Sequence, residues 1–448
     1  MNIKFICSLV LLSLVWPAAA KAQTEQWVAR YNGQGEANSI AVDSTTGTAY
    51  VTGFSTGAGT GQDYATVAYD ATGTELWVAR YDGPGHSSDV ATGIALDNST
   101  GNVYVTGYSW GVSMSADYAT VAYDSTGSEL WVARYNGPGN GSHRATAIAV
   151  DSTGNVYVTG ISWGGTTTQF DYATIKYDAT GTELWVARYN GPASGNDGAT
   201  AITVDSGTGN VYVTGNSLGT GQPFGDYATV AYDRMGMQLW VARYTGPGNM
   251  FNNAKAIAVD SRTGNVYVTG ESMGIGTFTD YATVAYDSNG GQLWVARYNG
   301  PGNDKDEANA IAVDGAGNVY VTGESAGLGT LIDYATVAYD SNGAELWVAR
   351  YNGPANGYDI ANAIAVDSSG SVYVTGRSEG IGTGYDYATI AYNSATGAEQ
   401  WVARYNGPGN GQDIAYAIAV DSTRNVYVTG GSTGIGTGDF ATIQYSQP

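Results

Sequence analysis

The sequence predicts an all-β fold: an eight-bladed β-propeller, four antiparallel strands per blade, with the last blade closed by the N-terminal strand. Three observations point there. Four short strings each recur eight times at even spacing. Each string has the make-up of a strand. Their order leaves a lone strand at the start of the chain and an incomplete set of three at its end.

Repeats come first, because they decide a fold. WVAR sets tryptophans at Trp27, Trp77, Trp131, Trp185, Trp240, Trp294, Trp347 and Trp401, a period of about 53 residues. IAVD and its close variants end at Asp43, Asp97, Asp151, Asp205, Asp260, Asp314, Asp367 and Asp421. VYVTG (AYVTG in the first copy) and DYAT (DFAT in the last) recur with the same regularity. All are short, rich in Val, Ile, Tyr, Thr and Trp, and bounded by Gly, Asn, Asp or Pro, which is strand composition. None has a helical apolar period.

Within a copy the order is AIAVD, NVYVTG, DYATVAYD and ELWVARY, named here strands A, B, C and D. Asp-Ser-Thr-Gly joins A to B (Asp151–Gly154) and C to D (Asp124–Gly127). Asp first and Gly fourth suit a type I turn, so both links are tight hairpins, with each aspartate expected to cap its own turn. The B–C and D–A links are longer, vary between copies and share one face, called the top. Small alanines on strand A suit the crowded hub; Trp, Arg and Tyr on strand D suit the rim. The chain opens on a D strand (Trp27–Tyr31) and ends on a C strand (Asp439–Tyr445), so the opening strand can fill the last blade and hide an edge that would invite aggregation.

Composition narrows the function classes. Of 448 residues 65 are Gly, 12% are aromatic and 13% charged, and the formal net charge is −22. So few charges and so many aromatics exclude disorder, and a polyanion is excluded as a nucleic-acid binder. Residues 1–22 read as a cleaved signal peptide: Lys4, an apolar run from Phe5 to Trp16, then Ala20-Lys21-Ala22. Residues 23–448 then form one propeller domain, exported to the periplasm or to the cell exterior and surface. The one cysteine, Cys7, lies in the leader, so disulfides and thiolate metal sites are excluded from the domain. No later apolar run reaches membrane-spanning length, and a monomer is expected.

The string AIAVDSTGNVYVTG (Ala147–Gly160) resembles the SBBP β-propeller repeat of bacterial exported proteins. That likeness covers nearly all of residues 26–446 and implies the fold, but no shared reaction. The strand order is also similar to NHL-type blades. AYNSATGAEQW (Ala391–Trp401) is similar to the quinoprotein blade motif A-x-D-x-x-T-G-x-x-x-W, with Asn393 in place of the Asp. That second likeness implies a quinoprotein-like oxidoreductase as a minor alternative, against which stands the lack of cysteines beyond Cys7.

Three groups of top-face residues are candidates for function. Eight residues before the IAVD aspartates stand Asp89, His143, Asp197, Asn252, Asp306, Asp359 and Asp413. They are expected near the channel mouth, where acids would focus a negative potential, with bracing between blades as the structural alternative. Aromatic departures on the top loops are Trp110, Trp163, Phe170, Phe224, Phe251, Phe278, Tyr358 and Tyr385, flat surfaces suited to protein or glycan contacts. His86, Asp89 and His143 make a two-histidine, one-carboxylate metal set. The eight WVAR arginines are expected to pair with an aspartate or stack on tyrosine. The resulting expectation is a binding or scaffold module for a protein or glycan, with no catalysis and no cofactor. An enzyme with a metal-assisted site at the channel mouth is the alternative; Ca²⁺ or another divalent ion is considered for the turn aspartates of the opposite face, the IAVD set with Asp70, Asp124, Asp178, Asp233, Asp287 and Asp340.

Overall fold

The computed structural model describes residues 23–447 apart from 113, 140, 222, 249, 435 and 437. The expected signal peptide, residues 1–22, lies outside the described residues. Among the described residues are eight four-stranded antiparallel sheets and no helix long and apolar enough to cross a membrane.

Blade 3 serves as the pattern. Its strands are A, His143–Val150; B, Val156–Trp163; C, Phe170–Tyr177; and D, Glu183–Tyr189. Asp151 ties the A–B turn, its Oδ1 accepting from the N–H groups of Thr153 (2.9 Å) and Asn155 (3.0 Å). Asp124 does the same for the C–D turn of blade 2 through Thr126 and Ser128. Gly154 closes its turn at φ 79°, and Gly181 closes the next at φ 84°, a left-handed conformation that glycine adopts freely. The turn aspartates therefore cap their own loops, as expected.

Blade 8 is completed by the first strand. Thr24–Tyr31 pairs antiparallel with Gly438–Ser446, from Thr24↔Ser446 to Tyr31↔Phe440. Arg30 fastens the junction by an ion pair to Asp439 at 2.9 Å. Successive A strands touch one another all the way round, including blade 8 against blade 1, so the ring is closed with A at the hub. Each A strand carries a bulge, between Ala145 and Ala147 in blade 3. The bulged side chain reaches the next blade: Thr146 Oγ1 donates to the Ala199 carbonyl at 2.9 Å, and Asn362 Nδ2 to that of Ala415 at 2.8 Å.

The apolar core lies in the seams between blades. At seam 2–3, Tyr104, Tyr118 and Ala122 pack on Ala145, Val156, Val158, Ala173, Ile175 and Tyr177. Tyr118 is fully enclosed and donates its hydroxyl to the Ala173 carbonyl across the seam at 3.2 Å. Trp131 leans from strand D of blade 2 onto blade 3, its Nε1 donating to the Ala179 carbonyl at 3.0 Å. Packing between blades thus supplies the burial that a single four-stranded sheet cannot.

Candidate functional site

The top face is built from the ends of strands D and B and the starts of A and C. Every strand-D arginine forms a clamp there. Arg188 pairs with Asp171 at 2.7 Å, donates to Ser162 Oγ and O, and reaches the Tyr135 hydroxyl of the preceding blade at 3.0 Å. The same ion pair recurs at Arg80, Arg134, Arg243, Arg297, Arg350 and Arg404. The expectation of pairing with aspartate holds, and the partner is always the DYAT aspartate.

The expected acidic ring does not line the channel mouth. Asp89, His143, Asn252, Asp306, Asp359 and Asp413 have no exposed surface, and Asp197 has 1%. Their side chains brace the D–A loops. Asp197 Oδ2 accepts from the N–H of Gly191 at 2.6 Å, and Asp89, Asp306, Asp359 and Asp413 make the same bond to Gly83, Gly300, Gly353 and Gly407. Strand A starts beneath the loop rather than at the rim, which is why position alone misled.

These residues face the DYAT aspartate of the preceding blade, whose Oδ1 is buried without a partner at Asp63, Asp117, Asp171, Asp280, Asp333 and Asp386. In one seam the opposing residue is Asn252, whose Nδ2 points a donor at Asp226 Oδ1 at 3.5 Å. In another it is His143, with Nδ1 on Ser162 Oγ at 2.8 Å. Both stand where five other copies carry Asp and the first carries Gly35. Burial raises the carboxyls of Asp89, Asp197, Asp306, Asp359 and Asp413 above the usual aspartate range. In Asp89, Asp197 and Asp413 the other oxygen accepts a strand-B end N–H, from Trp110, Leu218 and Thr433. Burial lowers the His143 imidazole, with Asp117 opposing.

The expected metal trio is not brought together. His143 is enclosed in its own seam, edge-on to Tyr135, while His86 is exposed and bonds Asp82 through Nδ1 at 2.6 Å. Among the described residues the grouped ligand candidates are instead Asp63, Asp82 and Asp89, with an oxygen from each within 4.8 Å of the others.

Where the copies differ, the top face acquires character. The residue after VYVTG is Phe54, Tyr108, Ile161, Asn216, Glu271, Glu324, Arg377 or Gly431, and it meets the start of the next blade's strand A. Arg144 lies over the Tyr108 ring at 4.9 Å, and Ile161 fills the space beside Gly198. Seam 5–6 holds a charge network: Lys255 to Glu307 at 2.7 Å, Lys305 to Glu307 at 2.9 Å and Lys305 to Glu324 at 2.6 Å. Burial and then the Glu307 carboxylate raise Glu271; burial works against Glu307, but Lys255 and Lys305 hold it ionised.

Beside this network a cleft of about 590 Å³ opens over blades 6 and 7, walled by Leu331, Ile332, Tyr358, Arg377 and Tyr385, with Lys305 and Glu324 at its end. Arg377 lies over the Tyr385 ring at 5.0 Å. It has no ion pair among the described residues, and its Nε is buried without a hydrogen-bond partner. A second cleft, about 560 Å³, adjoins His86, Trp110 and Met114.

The aromatic candidates divide. Trp163 and Phe170 pack on each other edge to face at 5.1 Å within blade 3. Tyr358 and Tyr385 share the large cleft, and Trp110 lines the second. Phe224, Phe251 and Phe278 are exposed. Sequence reasoning missed Arg377, Lys305, Leu331 and Asp82. The signal that finds Arg377 is the one variable place between the constant VYVTG and the constant serine after it.

The family model for the SBBP beta-propeller repeat matches residues 130–165, 293–329, 346–382 and 400–436. The chain matches the SBBP repeat at these four sites. Each SBBP match begins on strand D of one blade and runs through A and B of the next, so the SBBP unit spans a seam. No curated protein matches the chain. Among solved structures, the chain is similar to the polysaccharide lyase Uly1 at 11% identity, TM-score 0.47, covering 92% of this chain and 89% of that one. A eukaryotic initiation factor structure is similar at 9% identity, TM-score 0.42, covering 83% and 88%.

Proposed function

We propose that this SBBP-repeat propeller is an exported recognition module that holds a carbohydrate in the top cleft over blades 6 and 7. The observation that carries the reading is Arg377, stacked on Tyr385 and facing Tyr358 in a cleft of small-ligand size, without the aspartate partner that every strand-D arginine has. A pyranose has flat C–H faces and a rim of hydroxyls. Two tyrosine rings offer flat apolar area at low entropy cost, and a guanidinium offers several N–H donors in fixed geometry. A few placed polar groups on an apolar wall is the usual make-up of a small-ligand site. The test is a glycan array probed with the full chain, followed by calorimetry on each hit. Hits that lose at least tenfold affinity in Tyr358→Ala and in Arg377→Ala support the reading; hits that ignore both changes, or a blank array, reject it.

A further inference from the structure

Seam 1–2 alone has a carboxylate at the place that follows the strand-D tyrosine. The residue after the strand-D tyrosine is asparagine at Asn32, Asn136, Asn190, Asn299, Asn352 and Asn406, and threonine at Thr245; here alone it is Asp82. Asp82 joins the Asp63–Asp89 pair, one oxygen of each lying within 4.8 Å of the others. Asp63 is 4% exposed and its Oδ1 has no partner; Oδ1 of Asp82 is likewise buried and unpartnered. The remaining oxygens are engaged. Asp63 Oδ2 meets Arg80 at 2.9 Å and Thr60 Oγ1 at 3.1 Å, Asp82 Oδ2 meets His86, and Asp89 accepts from the N–H groups of Gly83 and Trp110.

At seam 4–5 the Asn252 amide points a donor at the DYAT aspartate, Asp226. Seam 1–2 sets three carboxylates against Arg80 and the exposed His86, and the buried Oδ1 atoms of Asp63 and Asp82 stay unpartnered. We propose that Asp63, Asp82 and Asp89 bind one Ca²⁺ ion. Carboxylate oxygens are the ligands of a hard divalent cation, and Ca²⁺ accepts an irregular shell completed by water. Asp82, with 27% of its side chain exposed, opens the site to the top face. His86 acts through Asp82 as a positioning residue, since a histidine hydrogen-bonded to a metal-binding carboxylate fixes its orientation. This inference is independent of the carbohydrate cleft, which lies over different blades.

The full chain, stripped with EDTA and re-equilibrated in 1 mM CaCl₂, tests it by elemental analysis, calorimetry and thermal unfolding. One calcium per chain and a raised unfolding temperature are expected. Asp82→Asn restores the residue six other copies carry, so it keeps the fold, and it should abolish both signals. Asp359→Asn should keep both. His86→Ala should weaken binding about tenfold or more. The proposal is overturned by the absence of bound calcium, by several equivalents per chain, which would assign the ion to the ordinary seam pairs, or by calcium retained in Asp82→Asn.

Discussion

Replacing Arg188 by alanine removes one clamp and leaves Asp171 enclosed without its counter-ion. The pair is 2.7 Å long, with side-chain exposures of 23% and 5% for arginine and aspartate. Breaking a fully buried pair from one side costs about 3–5 kcal/mol. The partial exposure of the guanidinium moves the figure to the lower end, about 3 kcal/mol. Lost bonds to Ser162 and Tyr135 are included in that, since water replaces them at the rim. Asp171→Asn should cost less, about 1 kcal/mol, because the arginine keeps Ser162 and Tyr135 and some solvent. In Arg188→Ala/Asp171→Asn the stranded charge is gone, so the double variant should be more stable than the sum of the singles by about 1.5 kcal/mol. Urea unfolding of all four proteins, followed by tryptophan fluorescence, measures this. Additivity to within about 0.5 kcal/mol would refute the clamp as an electrostatic device.

Further expectations follow from other residues. Burial raises the Asp359 carboxyl, so its stabilising protonated form is complete below the unfolded value of about 3.9 and lost as pH rises through the folded value. Asp359→Asn should therefore unfold later than the parent at pH 7, with the gap closing toward pH 4; a gap constant with pH would refute a cost of burying this carboxylate. Gly181→Ala would combine φ 84° with a Cβ 2.6 Å from the Trp131 ring and should lower stability by roughly 2 kcal/mol or more, whereas Gly329→Ala, at φ 81° in open space, should cost about 1 kcal/mol. Tyr118→Phe should cost about 1 kcal/mol in thermal unfolding for the bond to Ala173. Deleting residues 24–31 bares the outer edge of blade 8, and light scattering should then show association that the full chain lacks.

The fold was legible because eight copies agree wherever backbone and seam packing demand agreement. Trp131, Tyr118 and the Asp151 turn could be placed from one copy and checked against seven. The site was less legible for the same reason. A residue repeated in most copies, such as Asp359, reads equally as function or as support, and only burial separates the two. Arg377 was visible as a departure, but its significance depends on the missing acid partner and on Tyr385 below it, both set by packing across strands. Asp82 differs from its counterparts by a single side-chain atom, and its proximity to Asp63 and Asp89 arises from a fold across a seam.

The unlike contacts along the seams have a consequence for assembly. Blades built from nearly one sentence are at risk of docking on the wrong neighbour while the ring is still open. Yet Tyr108 is complemented by Arg144, Ile161 by the bare Gly198, and Lys255 by Glu307. Exchanging two blades would set a cation against an apolar wall or two bulky groups into one gap. The junctions act as keyed couplings between interchangeable parts, so sequential order is enforced by mismatch, and a designer who made all eight copies identical would remove that safeguard.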